Sequence, residues 1–592
     1  MRSIITNIKY SMTIAISASF TLFVLRIVLK VLLLVLPFSV TFLIKLLTNA
    51  LVMENIGLAI VYINEIAIIQ FVSLFLGKLL TYFTSLHTDL VSRTTSHEII
   101  SIINGLDISC FDDAEFHNEL ANVTRDINSV SDFLWTVISI MESFVKFVLA
   151  IWMLRQIGLF YTFLIVVFSI PTLVHDKRYS FKLYEFTRDT VNEVRKRNYL
   201  FDVLTSKYFS KDLRINNLQE NIKARYHKLW EEWYEKKKCI LLKNIKISMP
   251  LSVLPLVSTT IVMFRIVKLI TLQVMSIGDL SYGLGMVNQL VNSIQTFVSD
   301  VCIVAEKKVI IDNFMKFRNW KNNNNYALTV EEKSVDEIPF DFKSLEFANV
   351  SFKYPNTERY ILRNVSFSLK KGEVVAIVGR NGCGKSTIIK LLMKLYCPTE
   401  GKIFLNGKDI CNIPNNDYMK FFSVMFQDYI NYCFAYKDNL HTVDIDKDLD
   451  ERRVLNVSLK SGVSDFINQW KYGINTCLTK SYDVDGVEMS GGQWQKVALA
   501  RMFYKKAPVY VLDEPSASLD VESEYHIFKN IYGFSNNNVT AIIITHRLKN
   551  VKFADKILVI DGGSIVEEGT HDSLIKREGE YKKMHDYENL KI

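Results

Sequence analysis

Six long apolar segments restrict what this chain can fold into more than any other feature. They lie at about residues 18–47, 56–86, 133–154, 157–174, 247–275 and 280–304. A helix needs about 20 apolar residues to cross a bilayer, where backbone groups must bond within their own segment. The first segment shows the limit. Val31 to Ile44 is free of charge but too short alone, and reaches that length only with its flanks. An amphipathic stretch, Met1 to about Ser17, precedes it and suits a membrane surface. Arg2 and Lys9 stand before apolar sequence, but no small-residue cleavage pattern follows, so the first segment reads as a retained anchor. Lys177, Arg178 and Lys182, with Lys236, Lys237, Lys238, Lys243 and Lys246, flank apolar segments, which sets those flanks in the cytosol. They carry much of the net charge of +8, so no nucleic acid is needed to explain it.

Charge enters these segments sparingly. Arg26 and Lys30 sit four apart, as do Glu142 and Lys146, and Glu65 and Lys78 lie in the second segment. Intramembrane charge is costly and usually faces inward, so the two pairs point to a cavity. In the last segment Ser281, Gly285, Asn288, Asn292, Gln295 and Ser299 form a polar stripe at helical spacing. Lipid cannot satisfy amides, so that face should meet a partner helix or a watery cavity. Between the second and third segments, and again between the fourth and fifth, the helical pattern continues but turns polar. Asp112-Asp113 before Ala114-Glu115-Phe116 is an N-cap signal for a short transverse helix, and residues 210–218 are a second candidate.

The run 319–344, with four asparagines from Asn322, reads as a polar linker between a helical domain, 1–318, and a soluble α/β domain, 345–592. Five of the eight cysteines (Cys383, Cys397, Cys411, Cys433, Cys477) fall in the second domain with no C-x-x-C pair. They are expected as free thiols, with no metal site. Glu373 to Val378 predicts a buried parallel strand, and Thr387 to Leu395 the helix after it. Between them runs Gly379-Arg380-Asn381-Gly382-Cys383-Gly384-Lys385-Ser386. Such a glycine loop lets backbone amides wrap phosphates at a helix N-terminus, with Lys385 on the β/γ oxygens and the Ser386 hydroxyl on Mg²⁺. Val509-Tyr510-Val511-Leu512-Asp513-Glu514 is an acidic strand end, and Asp513 is placed to hold the same Mg²⁺ through water.

These motifs, together with Met489-Ser490-Gly491-Gly492-Gln493 between them, resemble ATP-binding-cassette (ABC) exporter half-transporters over Tyr354 to about His571. Two departures are small: Met489 stands where Leu is usual, and Cys383 where Ser or Gly is commoner. The resemblance implies an all-α transmembrane domain of six long helices (type I/IV ABC exporter), followed by an α/β P-loop ATP-binding cassette domain. It implies that Glu514 polarises the attacking water and that His546 contacts the γ-phosphate. Gln427 would touch Mg²⁺, and Tyr354 would stack on adenine. The loop Ala517-Ser518-Leu519-Asp520 would pair across a dimer. Ser490, Gly491, Gly492 and Gln493 would cap the ATP held by a second copy on Gly379 to Thr387. The transverse segments resemble coupling helices that dock in nucleotide-domain grooves. The wording Asp485 to Lys496, with Asp513-Glu514-Pro515-Ser516, is similar to lantibiotic and bacteriocin exporters of the nisin-transporter type.

The expected activity is ATP hydrolysis coupled to export across the plasma membrane of a bacterium, with ATP and Mg²⁺ as cofactors. One signature and one phosphate loop per chain require a dimer, and both halves of the site look intact, which favours a homodimer. The expected cargo is a peptide, modified or leader-bearing, because a wide polar cavity suits a flexible chain and no peptidase domain precedes the first span. Alternatives are a lipid or multidrug exporter and, in another class, an ATP-gated channel or regulatory subunit. The carboxylate at Glu514 argues for turnover rather than gating.

Overall fold

The structure is a computed structural model describing residues 2–320, 341–355, 357–481, 483–515, 524–526, 528–529 and 540–589. The expected linker lies almost wholly outside these residues, as does the Asp520 loop. The chain divides into two compact units, one of residues Met1–Gly105 and Ala114–Asn325, the other of Leu106–Asp113 and Tyr326–Ile592.

The first unit is all helix. A short helix α1 (Arg2–Ala18) precedes α2 (Phe20–Val52), whose N-cap Ser19 accepts from the Leu22 amide. After a tight turn, α3 (Ile56–Asn104) starts at Asn55, which caps Leu58 in the same way. Then come α4 (Ala114–Arg125), α5 (Ser129–Leu154), α6 (Leu159–Asp189), α7 (Val191–Thr205), α8 (Ser210–Ile215), α9 (Gln219–Leu251), α10 (Val253–Thr271) and α11 (Gly278–Arg318). Pro255 has no N–H for the Leu251 carbonyl, and the helix is interrupted at Ser252. Among the described residues five helices are long and apolar enough to cross a membrane: α2, α3, α5, α6 and α9 joined to α10. The sixth expected segment forms one unbroken helix, α11, but its polar residues leave it out of that set.

The helices pack through small residues and tied ends. A Cβ on Gly285 would meet Thr41 Cγ2 at 2.3 Å, so this position lets α11 approach α2 closely. Asn49 accepts the Gly278 amide at 2.9 Å, and Lys45 pairs with Asp279 at 2.5 Å, which pins the start of α11 to α2. Phe38, Ala150, Leu154, Ile165, Val262, Ile266, Met286, Val287 and Leu290 form the buried core. Much of α3 is apolar yet open, with Phe71 and Leu74 each 70% exposed, as a lipid-facing helix requires.

The second unit carries two sheets. An antiparallel one has the order β2-β1-β4-β5: β1 (Ser344–Phe352), β2 (Leu362–Lys370), β4 (Glu400–Leu405) and β5 (Lys408–Asp409). The larger has the order β10-β9-β3-β8-β7-β6: β3 (Val374–Gly379), β6 (Phe422–Met425), β7 (Val509–Asp513), β8 (Thr540–Ile544), β9 (Lys556–Asp561) and β10 (Ser564–Gly569). Strands β9, β3, β8, β7 and β6 are parallel, with β6 at one edge, and β10 closes the other edge antiparallel. Every residue of β3 is buried, as a strand covered on both faces demands. Cores rich in Val, Ile and Phe fill both faces. Loops at the carboxyl ends of parallel strands therefore converge on one edge, where ligands bind in such sheets.

The short helix expected after Asp112-Asp113 is present as α4 (Ala114–Arg125), and a turn precedes it. The chain turns as a 3-10 helix, Ile108–Asp112, whose N-cap is Asp107, accepting from Ser109 N at 2.8 Å. This turn belongs to the second unit, while α4 beyond it belongs to the first. The Tyr396 hydroxyl donates to Asp112 at 2.5 Å and anchors it there. Asp112-Asp113 thus closes this turn and stands immediately before α4, the helix it was expected to precede.

Candidate nucleotide site

The glycine loop joins β3 to α12 (Lys385–Leu392), whose N-cap Gly384 has φ +106°. A Cβ on Gly384 would meet Leu362 Cδ2 at 2.7 Å, so glycine serves both conformation and space there. Lys385 is 6% exposed and donates to the carbonyls of Gly379 at 2.8 Å and Arg380 at 2.9 Å, holding the loop's start over the helix it opens. Asn381 and Gly382 are exposed, and Thr387 is buried. Cys383 is 8% exposed and packs into the core, and burial pushes its thiol pKa up.

Asp513 ends β7 at 3% exposure, with burial pushing its carboxyl up to about 6. A hydrogen bond from Ser386 opposes that rise and the Glu514 charge adds to it. Its Oδ1 is buried and has no hydrogen-bond partner among the described residues. An orphaned carboxylate oxygen beside a serine hydroxyl at a phosphate loop is the donor set a Mg²⁺ ion needs, so these residues fit the ion.

Glu514 follows at φ +48°, a left-handed conformation that a non-glycine residue adopts at a cost. Its amide donates to the Ile544 carbonyl at 2.9 Å, which ties the turn to the end of β8. One carboxylate oxygen accepts from Gln427 Nε2 at 2.9 Å, and the other lies 3.4 Å from His546 Nδ1. The side chain of His546 is 49% exposed and that of Glu514 is 14% exposed. The ends of β6, β7 and β8 thus bring Gln427, Asp513, Glu514 and His546 together, beside the loop after β3.

Ser490 is the N-cap of α13 (Gly491–Tyr504) and forms a reciprocal capping box with Gln493. Ser490 and Gly491 are exposed, Gly492 is half-buried, and a Cβ on Gly491 would meet nothing within 4 Å. Tyr429 donates to the Gly491 carbonyl at 3.0 Å, linking this loop to the segment after Gln427. Tyr354 packs edge-on against Phe352 and Tyr396, with its hydroxyl 3.3 Å from Thr387 Oγ1.

Sequence reasoning missed the residues that hold His546 in place. Arg547 pairs with Glu524 at 2.8 Å, and the Leu548 amide donates to Glu588 at 2.8 Å. Both carboxylates are distant in sequence, and only tertiary contact reveals them. Tyr396, which meets both Tyr354 and Asp112, was missed for the same reason.

In the first unit Arg26 is 3% exposed, with its guanidinium 3.6 Å from the Trp135 ring centroid and 2.9 Å from His87 Nδ1. That contact makes Nδ1 the acceptor and leaves Nε2–H to donate to the Ala15 carbonyl at 3.1 Å. Arg26 is therefore packed inside the bundle and does not line a cavity. Lys30 and Lys146 both pair with Glu142, at 3.2 and 2.7 Å. Asn288, Asn292, Gln295 and Ser299 are exposed, with no side-chain hydrogen bond among the described residues, so this part of the stripe faces away from its own bundle, while Ser281 and Gly285 are half-buried and Gly285 packs on Thr41.

Fold and site define a phosphate-loop ATPase joined to a helical domain with apolar, membrane-length helices. Residues 362–517 match the family model described as ABC transporter. The chain is 30% identical over 500 residues to the subtilin transport ATP-binding protein of Bacillus subtilis, covering 83% of this chain and 79% of that one. It is 26% identical over 522 residues to the nisin transport ATP-binding protein of Lactococcus lactis subsp. lactis, covering 88% and 86%. Its fold matches a bacterial Atm1-family ABC exporter solved with ATP bound, at TM-score 0.75 and 20% identity, over 96% of this chain and 99% of that one. The chain belongs to the ABC transporter family and is a half-transporter, with one helical and one nucleotide-binding domain.

Proposed function

We propose that a dimer of this chain hydrolyses ATP to export an amphipathic peptide across the plasma membrane of a bacterium. The observation that carries the ATPase reading is the meeting of Gln427, Asp513, Glu514 and His546 at one sheet edge. Glu514 takes the proton from the attacking water, and its two held oxygens fix the carboxylate's direction. His546 meets the γ-phosphate, and Lys385 with the loop amides of residues 379–387 binds the β- and γ-phosphates. Ser386, Gln427 and Asp513 would hold Mg²⁺, which when bound neutralises charge building on the phosphates. Tyr354 stacks on adenine. The exposed cap at Ser490 offers free amides at a helix N-terminus, which supports its use against the ATP held by a second copy. The Asp520 loop would meet the partner at the same seam.

The domain limits proposed are 1–318, 319–344 and 345–592, with α11 as the sixth crossing and the nucleotide domain in the cytosol. ATP drawing two nucleotide domains together favours one state of the helical domains, and hydrolysis resets it. The docked turn Ile108–Asp112 and the tip at α8, where Tyr208 is 83% exposed and Ile215 78% exposed, would transmit that movement.

A peptide cargo is supported by the exposed amides of α11, and by the similarity to the subtilin and nisin transport proteins. The test replaces Asn292 and Gln295 with leucine and measures ATPase stimulation by leader-bearing peptides. Loss of stimulation with basal turnover intact supports the reading. Unchanged stimulation, with a hydrophobic dye still pumped, moves the cargo to the drug or lipid class.

A further inference from the structure

Cys397 and Cys411 stand on either side of the hairpin formed by β4 and β5, and both are exposed. Pairing of Phe404 with Asp409 and of Leu405 with Lys408 folds the chain after β5 back along β4. The Lys394 ammonium ties the two flanks together by donating to the Ile413 carbonyl at 2.7 Å. The two thiols meet in this fold, with the Cys411 S–H donating to the Cys397 sulfur. That bond lowers the Cys397 thiol pKa to about 7, helped by Lys394 and opposed by burial, Asp107 and Asp409. The same bond raises the pKa of Cys411 and keeps it protonated. Cys433 and Cys477 are arranged differently, because there the Cys477 sulfur meets a backbone carbonyl, that of Cys433, at 3.8 Å.

The pair lies at the seat of the docked turn. Tyr396, next to Cys397 in the chain, donates to Asp112 at the end of that turn, and Asp107 at its start is close enough to act on the Cys397 thiol. An exposed thiol that titrates near neutral pH, with a resolving thiol beside it, is the arrangement of a redox-sensing cysteine. We infer that Cys397 and Cys411 form a redox switch, which a hydroperoxide closes to a disulfide, stiffening the seat of the docked turn and slowing ATP turnover. The Cys397 thiolate attacks the O–O bond, giving a sulfenic acid and releasing the other oxygen as water. The Cys411 sulfur then forms the S–S bond and displaces the sulfenic oxygen as a second water. The dithiol gives up two electrons and two protons, and one hydrogen peroxide becomes two waters. The hairpin and Lys394 already hold the flanks together, so closing the bond needs no change of strand pairing. Disulfides in a reducing cytosol are of this transient, sensing kind.

The test treats the full chain in lipid nanodiscs with hydrogen peroxide, blocks the remaining thiols and maps the peptides by mass spectrometry. Wild type should yield a linked Cys397–Cys411 peptide pair lacking two hydrogens, which dithiothreitol separates. Cys411→Ser removes the resolving thiol, so Cys397 should gain oxygen instead. Reduced wild type and reduced Cys411→Ser should have equal ATPase. On oxidation the wild-type rate should fall by about threefold or more and recover with dithiothreitol, while Cys411→Ser keeps its reduced rate. Peroxide that leaves Cys397 and Cys411 as free thiols in wild type, or oxidises them without linking them, overturns the pair. A linked pair with unchanged ATPase overturns the switch. The mapping needs no turnover, so it tests the dithiol by itself, whereas a reduced wild type without ATPase strikes the export reading instead.

Discussion

Replacing Glu514 with glutamine removes a charge and a proton acceptor while keeping the side chain's size and its two contacts. The structure makes this a clean perturbation. The backbone at φ +48° is set by the Ile544 carbonyl, which the substitution leaves untouched. Gln427 Nε2 at 2.9 Å can donate to the amide oxygen as it does to the carboxylate. Phosphate-binding groups at Lys385 and the loop amides are unaltered, so ATP affinity should change little. What disappears is the base, and general-base catalysis is worth about 10²- to 10⁴-fold, or about 3 to 5 kcal/mol of barrier. Steady-state ATPase of purified Glu514→Gln should therefore fall at least a hundredfold, with ATP retained in a closed dimer. Turnover above about a tenth of wild type would refute the assignment and direct attention to another proton acceptor, His546 being the nearest.

The raised pKa of Asp513, about 6, makes metal binding proton-linked. The ion needs the carboxylate, so Mg²⁺-nucleotide affinity should be flat above pH 6 and fall up to about tenfold per unit below it. Affinity measured from pH 5 to 7.5 checks this, and a flat profile in wild type would contradict it. Glu588→Ala leaves the Leu548 amide without its acceptor beside His546. A loss of about 1 kcal/mol in positioning predicts a kcat about fivefold lower with the KM for ATP unchanged. Cys383, buried and held as thiol, should react with maleimide at least tenfold slower than exposed Cys239 in the native protein. Equal rates would show that the loop opens readily.

The nucleotide site was readable in sequence because its residue types answer local demands. A buried β-run, a glycine loop and a helix start fix where phosphates go, and a parallel sheet brings the ends of β6, β7 and β8 to the same edge. The first unit was readable in its helices but less so in their contacts. An intramembrane arginine looks the same in sequence whether it lines a cavity or, like Arg26, stacks on Trp135 and bonds His87. The helix after Asp112-Asp113 was readable, but the 3-10 turn before it, capped by Asp107 and bonded to Tyr396, was not, because that bond joins residues far apart in sequence. Glu524 and Glu588 carried no motif at all. Their role comes from folding distant segments against the loop that carries His546.

The central claim is that hydrolysis at Glu514 drives cargo outward, and transport into inside-out vesicles tests it most directly. Wild-type vesicles should accumulate a fluorescent leader-bearing peptide with ATP and Mg²⁺, and should not do so without nucleotide. Vesicles carrying Glu514→Gln should accumulate none above background. Equal accumulation by both proteins would contradict the claim.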